Sequence, residues 1–149
     1  MTEPGADITI RPLRAGDYEG VCGVWRAAGL EVRLAGREAQ DAFVAQVEHF
    51  ASTYLGAEAE GRLIGVVLGT HDHRKGWINR LAVHPDYRRR GLGLRLLRAC
   101  ERALEECGIE IIAGLIEEGN EASVALFERG GYVADVPVHY YRKRQRADI

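Results

Sequence analysis

Hydrophobic and polar residues recur along the chain with two different periods, and the changes of period predict the order of strands and helices. Four stretches are β-branched or alternate between apolar and polar residues, which is typical of strands: DITIRPL, TYLGAEAEGRLIGVVLGT, WINRLAV and IEIIAGLI. The second stretch contains Glu60-Gly61, a turn pair that predicts a hairpin of two strands.

Helical spacing fills most of the segments between these strands. Apolar residues recur at intervals of three and four positions in four segments, and the predicted helices begin near Asp17, Ala39, Gly91 and Asn120. Pro85 ends the strand WINRLAV, because a proline removes a donor from the ladder.

After the last helix the chain is half apolar, and residues 132–142 are predicted to be extended. The elements then follow the order β-α-α-β-β-β-α-β-α-β. This order predicts an α/β fold in which one mixed sheet carries helices on its faces. A length of 149 residues suits one domain, spanning residues 1–149.

Composition narrows the possible partners. The net charge of −2 gives no global attraction to nucleic acid or to an anionic membrane. No apolar run has the length of a membrane span, and MTEPGADITI lacks the layout of a signal peptide, so we expect a cytoplasmic protein. Three cysteines without a Cys-x-x-Cys pair indicate reduced thiols, which we expect to be core residues.

The most informative segment is RRRGLG at residues 88–93, which follows a strand and a proline turn and precedes a helix. A helix that begins at a glycine-rich turn presents unpaired N–H groups and the positive end of its dipole, and arginines add donors suited to phosphate. The segment therefore predicts a phosphate or pyrophosphate cradle. It is not a P-loop, because no Gly-Lys-Ser/Thr follows, and Leu96 stands where a dinucleotide fingerprint needs a third glycine or alanine.

Two segments resemble the signatures of a known family. LAVHPDYRRRGLGLRLL resembles motif A of the GNAT superfamily of N-acetyltransferases, whose core Arg/Gln-x-x-Gly-x-Gly/Ala falls on Arg88, Gly91 and Gly93. NEASVALFERGGY resembles the second signature of that family. The element order also matches, so the resemblance covers essentially the whole chain. It implies that the strands WINRLAV and IEIIAGLI splay apart.

The resemblance further implies acetyl-CoA, or a related acyl-CoA, as co-substrate, and direct transfer of the acetyl group to a primary amine. The backbone of Leu81, Ala82 and Val83 would pair with the pantetheine arm, and a backbone N–H near Val83 would stabilise the oxyanion. Asn120 would contact the end of the pantetheine. Two further groups would complete the binding site, the pyrophosphate loop Arg88, Arg89, Arg90, Gly91, Leu92, Gly93 and Leu94 and the helical face with Ser123 and Phe127.

Phe127 occupies the position at which many family members have a tyrosine that protonates the departing thiolate. The proton source is therefore open between Ser123, a tyrosine of the tail and water. Glu117 is a candidate base that acts directly or through water, although an exposed acidic turn that caps the following helix by its charge explains it better. The remaining alternatives are Tyr132, Tyr140 and Tyr141 for the acid and Glu118 for the base.

The acceptor is either a small molecule or a protein amine, and the first two helices usually shape its pocket in this family. The candidates there are Trp25, Glu31, Arg33 and Arg37. The pair of histidines at 71 and 73 is expected to form a polar turn, and no metal is predicted.

Two other functions compete with catalysis. A sensor or interaction module that binds acyl-CoA without turnover remains possible because of Phe127, whereas a nucleic-acid binder is disfavoured because the basic cluster lacks interleaved aromatics. The half-apolar tail also predicts an edge through which two copies pair as a homodimer.

Overall fold

A computed structural model describes residues 7–135 and 137–149 and shows one mixed sheet between two layers of helices. Four helices and five strands are assigned in these ranges. The strands are β1 (Thr9–Pro12), β2 (Tyr54–Ala59), β3 (Arg62–His71), β4 (Gly76–Val83) and β5 (Ile112–Gly114). The helices are α1 (Tyr18–Ala27), α2 (Gln40–His49), α3 (Leu92–Glu106) and α4 (Glu121–Arg129), with short 3₁₀ turns at Ala15–Asp17, Gly36–Glu38 and Pro85–Tyr87.

The strands lie in the order β1-β2-β3-β4-β5, antiparallel from β1 to β4 and parallel between β4 and β5. The helix α3 therefore serves as the crossover between the parallel pair. The predicted hairpin is confirmed, since Ala59 pairs with Arg62 around Glu60 and Gly61, both of which have positive φ.

Each face of the sheet buries its own apolar cluster. Residues from α1 and α2, among them Val21, Trp25 and Phe43, pack with Val66 of β3 on one face. On the other face Leu97 and its neighbours on α3 pack against β2, β3 and β4. Burying such side chains stabilises the domain by about 1.5–3 kcal/mol each before opposing terms. The layered α/β prediction is confirmed.

The C-terminal part of the chain differs from the prediction in two ways. β5 covers only three residues of IEIIAGLI, and the side chains of Ile111 and Leu115 on either side of it are exposed. The final strand expected within residues 132–142 is absent from the described residues. Pro137 supplies no N–H there, and Val133 and Tyr141 are exposed, so burial does not offset the cost of ordering a strand.

Two smaller expectations concern the tail and the cysteines. Val136 lies outside the described residues, and the tail provides no strand edge in the rest, so the homodimer stays a prediction. Cys22 and Cys100 are buried as expected, but Cys107 is exposed because it follows the last turn of α3. All three thiols are free.

Candidate functional site

The middle of β4 contains a β-bulge, which lies at one end of the candidate site. Val66 pairs with Ala82 and Leu68 pairs with Asn79, so two residues of β4 face one residue of β3. One of these two, Arg80, has φ 52°, a left-handed conformation that costs a side-chain-bearing residue roughly 1–2 kcal/mol. Trp25 Nε1 donates to the Arg80 carbonyl at 3.2 Å and helps to hold the bulge in place.

Beyond the bulge the two parallel strands separate. Their pairing ends where Ile78 meets Gly114, whereas β4 continues to Val83. In the described part of the chain, no strand pairs with the outer edge of residues 79–83. The predicted splay of the two strands is therefore present, and Leu81, Ala82 and Val83 lie along its open edge.

The backbone of Val83 points into this opening. The N–H of the next residue, His84, donates to Ile64 O of β3 at 2.8 Å. Successive peptide groups of a strand point in opposite directions, so the Val83 N–H faces away from β3. Its carbonyl accepts from Arg88 Nε at 3.3 Å, which joins the end of β4 to the loop that follows.

That loop is the predicted anion cradle. Arg89 and Gly91 both have positive φ, and the turn delivers the chain into α3 at Leu92. The N–H groups of residues 89–94 find no acceptor among the described residues. A run of free amides at a helix N-terminus is the arrangement that binds phosphate groups.

The protein's own packing does not require the second glycine of the loop. A Cβ on Gly93 would meet only Leu126 methyl groups at 3.5 and 3.6 Å, which is an ordinary contact. The arginines border the amides: Arg90 stacks over Tyr87 at 5.0 Å, and the side chains of residues 88–90 are exposed. These observations support the cradle interpretation and leave its ligand as a prediction.

Of the predicted residues of the last helix, Phe127 lies beside the separated strands, whereas Asn120 and Ser123 form the start of the helix. Asn120 caps α4, since its Oδ1 accepts from Ser123 N at 3.2 Å, and Ser123 is half-buried in the first turn. The Phe127 ring packs over Gly114, at the point where the pairing of β4 and β5 stops. Glu117 is exposed, and neither α4 nor the turn before it places a carboxylate on the cavity described below.

The three tail tyrosines occupy different places. Tyr140 lines the cavity, although its side chain is 69% exposed. Tyr132 packs edge-on against Phe127, and its buried hydroxyl has no hydrogen-bond partner among the described residues. Burial, followed by nearby Glu101, raises the pKa of Tyr132, so this tyrosine faces α3 and is a poor acid. Tyr141 is exposed and does not reach the cavity.

A cavity of about 510 Å³ opens on the face of the sheet that carries α1 and α2. Two of the predicted acceptor residues, Trp25 and Arg37, line it, and the other two, Glu31 and Arg33, pair with each other at 3.5 Å close by. Aromatic rings form much of the wall. They come from Tyr18, Phe43, Phe50 and Tyr54.

Sequence reasoning missed the central ion pair of this cavity. Glu38 is only 7% exposed, and its carboxylate accepts from Arg33 N at 2.6 Å and lies 3.3 Å from Arg80 Nη2. Arg80 also donates to Glu31 O at 2.7 Å and stacks over the Trp25 ring at 4.5 Å. Burial lowers the pKa of Arg80, and Glu38 opposes that effect. No sequence signal distinguished Glu38 and Arg80 from surface charges.

Asn79 and Tyr54 provide neutral polar groups in the same cavity. Asn79 Nδ2 donates to Thr70 Oγ1 at 3.0 Å and to Leu68 O at 3.3 Å, which leaves its Oδ1 without a donor among the described residues. The Tyr54 hydroxyl donates to Gln46 Oε1 at 3.2 Å, and burial raises the pKa of Tyr54 to about 12.

The two histidines of the loop after β3 form a local turn. His71 Nδ1 accepts from His73 N at 3.1 Å, and the two rings meet edge-on. No group of three residues able to ligate a metal occurs among residues 7–135 and 137–149. Over the same residues no helix is long and apolar enough to cross a membrane.

Solved structures of N-acetyltransferases share this fold. PaiA N-acetyltransferase from Thermoplasma acidophilum, in complex with coenzyme A, aligns with TM-score 0.77 and 21% identity over 89% of this chain and 93% of that one. Aminoglycoside N-acetyltransferase AAC(6')-Iy, in complex with CoA, aligns with TM-score 0.75 and 22% identity over 97% and 99%. The ribosomal-protein-S18-alanine N-acetyltransferase from Escherichia coli aligns with TM-score 0.66 and 23% identity over 83% and 76%.

The sequence profile described as the acetyltransferase (GNAT) family matches residues 23–132. The match includes the bulged β4, the loop of free amides, the α3 crossover and α4. The chain therefore belongs to the GNAT acetyltransferase family.

Proposed function

We propose that the protein transfers an acetyl group from acetyl-CoA to the primary amine of a small acceptor. The observation that carries this proposal is the row of free amides at residues 89–94, directly beside the opening between β4 and β5. The free amides suit the pyrophosphate of CoA, and the opening between the strands suits its extended pantetheine arm. The PaiA and AAC(6')-Iy structures with bound coenzyme A support the same ligand here.

In this proposal different parts of the site bind different parts of acetyl-CoA. The amides of residues 89–94 and the flanking arginines bind the pyrophosphate, because both are fixed donors at the positive end of α3. The open edge of β4 pairs with the pantetheine arm in the manner of an added strand. The acyl end then reaches the cavity near Ile78 and Asn79, where the strands part.

The transfer is a direct displacement. The lone pair of a neutral amine forms a bond to the thioester carbonyl carbon, the carbon–sulfur bond breaks, and its electron pair leaves with sulfur. A backbone N–H on the open edge of β4, beside the acyl end, donates to the carbonyl oxygen as negative charge develops there, while the Val83 N–H faces the opening nearer the loop. The proton lost by the amine passes to solvent or to the departing sulfur.

Position in the cavity supports a choice among the candidate acids and bases. Of Ser123, Glu117 and Tyr140, only Tyr140 lines the cavity, so we assign it as the side chain closest to the proton path. Glu38 is unavailable as a base because Arg80 and the Arg33 amide occupy its carboxylate. Water therefore accepts the proton of the amine. The thiolate of CoA, whose conjugate thiol has a pKa near that of cysteine, about 8.5, leaves without strong acid assistance.

Thermal unfolding with acetyl-CoA, CoA or NAD at saturation tests the first half of the proposal. A ligand at a hundred times its Kd stabilises the fold by about 2.7 kcal/mol, which is a rise of roughly 5–10 °C in Tm for a domain of this size. We expect that rise with both CoA species and none with NAD. A transition that neither CoA species moves would contradict the proposal.

Release of free thiol from acetyl-CoA in the presence of amines tests the second half. Thiol release that depends on the added amine distinguishes an enzyme from a sensor that binds acyl-CoA without turnover. Membership of an acetyltransferase family favours the enzyme. A CoA-dependent rise in Tm with no thiol release from any amine would favour the sensor.

A further inference from the structure

The charges on the cavity wall are unequal. Three charged residues line it, Arg37, Glu38 and Arg80, and the last two neutralise each other at 3.3 Å. Glu38 is the one carboxylate on this wall among the described residues, and it is buried and fully engaged. The cavity therefore offers no free acid to a cationic ligand.

Arg37 is left as an uncompensated positive charge. It has no ion-pair partner in residues 7–135 and 137–149, and its side chain is exposed toward the cavity mouth. The backbone around it is fixed, since Gln46 Nε2 donates to Arg37 O at 2.9 Å and Ala39 N donates to Gly36 O at 3.1 Å. A guanidinium on a fixed backbone is suited to bind a carboxylate or a phosphate in bidentate fashion.

The C-terminal tail brings more positive charge to the same rim. The Ile149 side chain packs against Gly36, so the end of the tail lies beside the segment that carries Arg37. The pKa of Arg144 is lowered, first by the nearby charge of Arg142, then by desolvation and by the charges of Arg33 and Arg37. This is expected for clustered guanidinium groups. Two carboxylates, Glu31 and Asp148, offset part of this charge.

The remaining lining residues would contact the middle of a bound ligand and its end opposite Arg37. Phe43, Phe50 and Tyr54 supply aromatic surface between the rim and the sheet. Asn79 Oδ1, which accepts no hydrogen bond within the described chain, lies near the place where β4 and β5 separate and is free to accept from an amine. A volume of about 510 Å³ suits a small molecule.

We propose that the acceptor is a small amine that also carries an anionic group, a carboxylate or a phosphate, which Arg37 and the arginines of the rim bind. The amine end points to Asn79 and the separated strands, and an apolar or aromatic portion lies between the two ends. Polycationic amines are disfavoured, because they would meet the like charge of Arg37 and find no free carboxylate on the cavity wall. This inference rests on the proposed acetyl transfer and specifies its substrate class.

Calorimetric titration of the CoA-saturated protein with matched amines tests the anionic preference directly. The pairs are phenylalanine against phenylalaninamide, and O-phosphoethanolamine against ethanolamine, with spermidine as the polycation. We expect the anionic member of at least one pair to bind about tenfold more tightly than its neutral partner. The pair that shows the difference identifies carboxylate or phosphate as the group that is recognised.

Two variants locate the effect. In Arg37→Gln the preference should fall to about threefold or less, because the neutral amide replaces one guanidinium. Arg62→Gln removes an exposed arginine from the start of β3, away from the cavity, and should leave the preference unchanged. Thiol-release assays with the same amines should show the loss in Arg37→Gln as a higher KM.

The outcomes separate the two proposals. CoA binding without preference for the anionic member of either pair, or with tighter binding of spermidine, overturns the substrate class and leaves the acetyl transfer standing. A preference that survives in Arg37→Gln overturns the role of this arginine. Failure of CoA itself to bind overturns the proposed function, and the substrate class falls with it.

Discussion

The two halves of the candidate site are built from different parts of the polypeptide. The cradle consists of backbone N–H groups from six consecutive residues at one helix N-terminus, residues 89–94. The cavity proposed for the acceptor consists of side chains from α1, the turn Gly36–Glu38, α2, β2, β3, β4, the residue after β5 and the tail.

That difference decides how each half responds to substitution. A backbone site depends on the conformation of one turn, so most side-chain changes around it are tolerated. A side-chain site depends on every group that holds its charges in place. The same difference explains how a family can keep one co-substrate while its acceptors vary.

The largest expected effect is on the acceptor side, at Glu38. Glu38→Ala leaves Arg80 without its carboxylate and Arg33 N without its acceptor, so we expect a loss of about 3 kcal/mol of unfolding free energy. Chemical denaturation measures this loss of unfolding free energy. Glu31→Ala is the control, because Glu31 is 74% exposed in its pair with Arg33 and such pairs contribute about 0–1 kcal/mol. Equal losses in the two variants would contradict the importance of the buried pair.

The cradle is tested by two glycines at opposite ends of α3. Gly91 and Gly108 both have positive φ, and a Cβ on either would meet nothing within 4 Å. Alanine at each position should therefore cost about 1–2 kcal/mol of stability through backbone strain alone. Only Gly91→Ala should also weaken CoA binding, by about tenfold, because only its turn aims the free amides.

Titration of CoA against both variants separates strain from ligand binding. Gly108→Ala should have the same Tm as Gly91→Ala. Its Kd for CoA, however, should equal that of the unsubstituted protein. An equal Kd for all three proteins would mean that the geometry of the turn at Gly91 does not matter to the cradle.

The same contrast explains what the sequence predicted. The cradle is contiguous, so its glycines, arginines and helix start can be recognised together, and the hairpin at Glu60-Gly61 depends on an equally local rule. Motif resemblance added the splay of β4 and β5, which is present. The final strand was wrong because alternation alone does not guarantee a neighbour to pair with.

The residues of the cavity proposed for the acceptor were predicted only in part. Trp25 and Arg37 were expected to face the acceptor, and both line the cavity. The pairing of Glu38 with Arg80 joins residues 42 positions apart in the sequence through a bulge whose left-handed residue is an arginine. Neither glycine nor asparagine marks that conformation, so local sequence rules do not reveal it.

A smaller effect tests whether the Tyr54 hydroxyl takes part in catalysis. Burial raises the pKa of Tyr54 to about 12 from 10.0, so the contribution of this shift to stability is present below pH 10 and is lost as the pH rises through about 12. Tyr54 therefore stays neutral at working pH. In Tyr54→Phe, kcat/KM should keep the same rise with pH, set by deprotonation of the amine, while stability falls by about 1 kcal/mol with the lost bond to Gln46.

Tyr141→Phe, at an exposed position, is the control for the Tyr54 variant and should change neither quantity. A shift of the alkaline limb of kcat/KM in Tyr54→Phe alone would show that the Tyr54 hydroxyl does titrate during turnover.

The smallest expected effects concern the proton path, where the two halves of the site meet. Tyr140 lines the cavity, so Tyr140→Phe should lower kcat by about fivefold, a loss of roughly 1 kcal/mol in transition-state stabilisation. Ser123→Ala should lower kcat by about twofold or less, and Glu117→Gln should leave it unchanged, because neither residue lines the cavity. Single-turnover measurements of thiol release separate these changes from product release. A hundredfold loss in Ser123→Ala would instead place the acid on α4, one turn from Phe127, and would make the cradle side of the molecule the source of the proton.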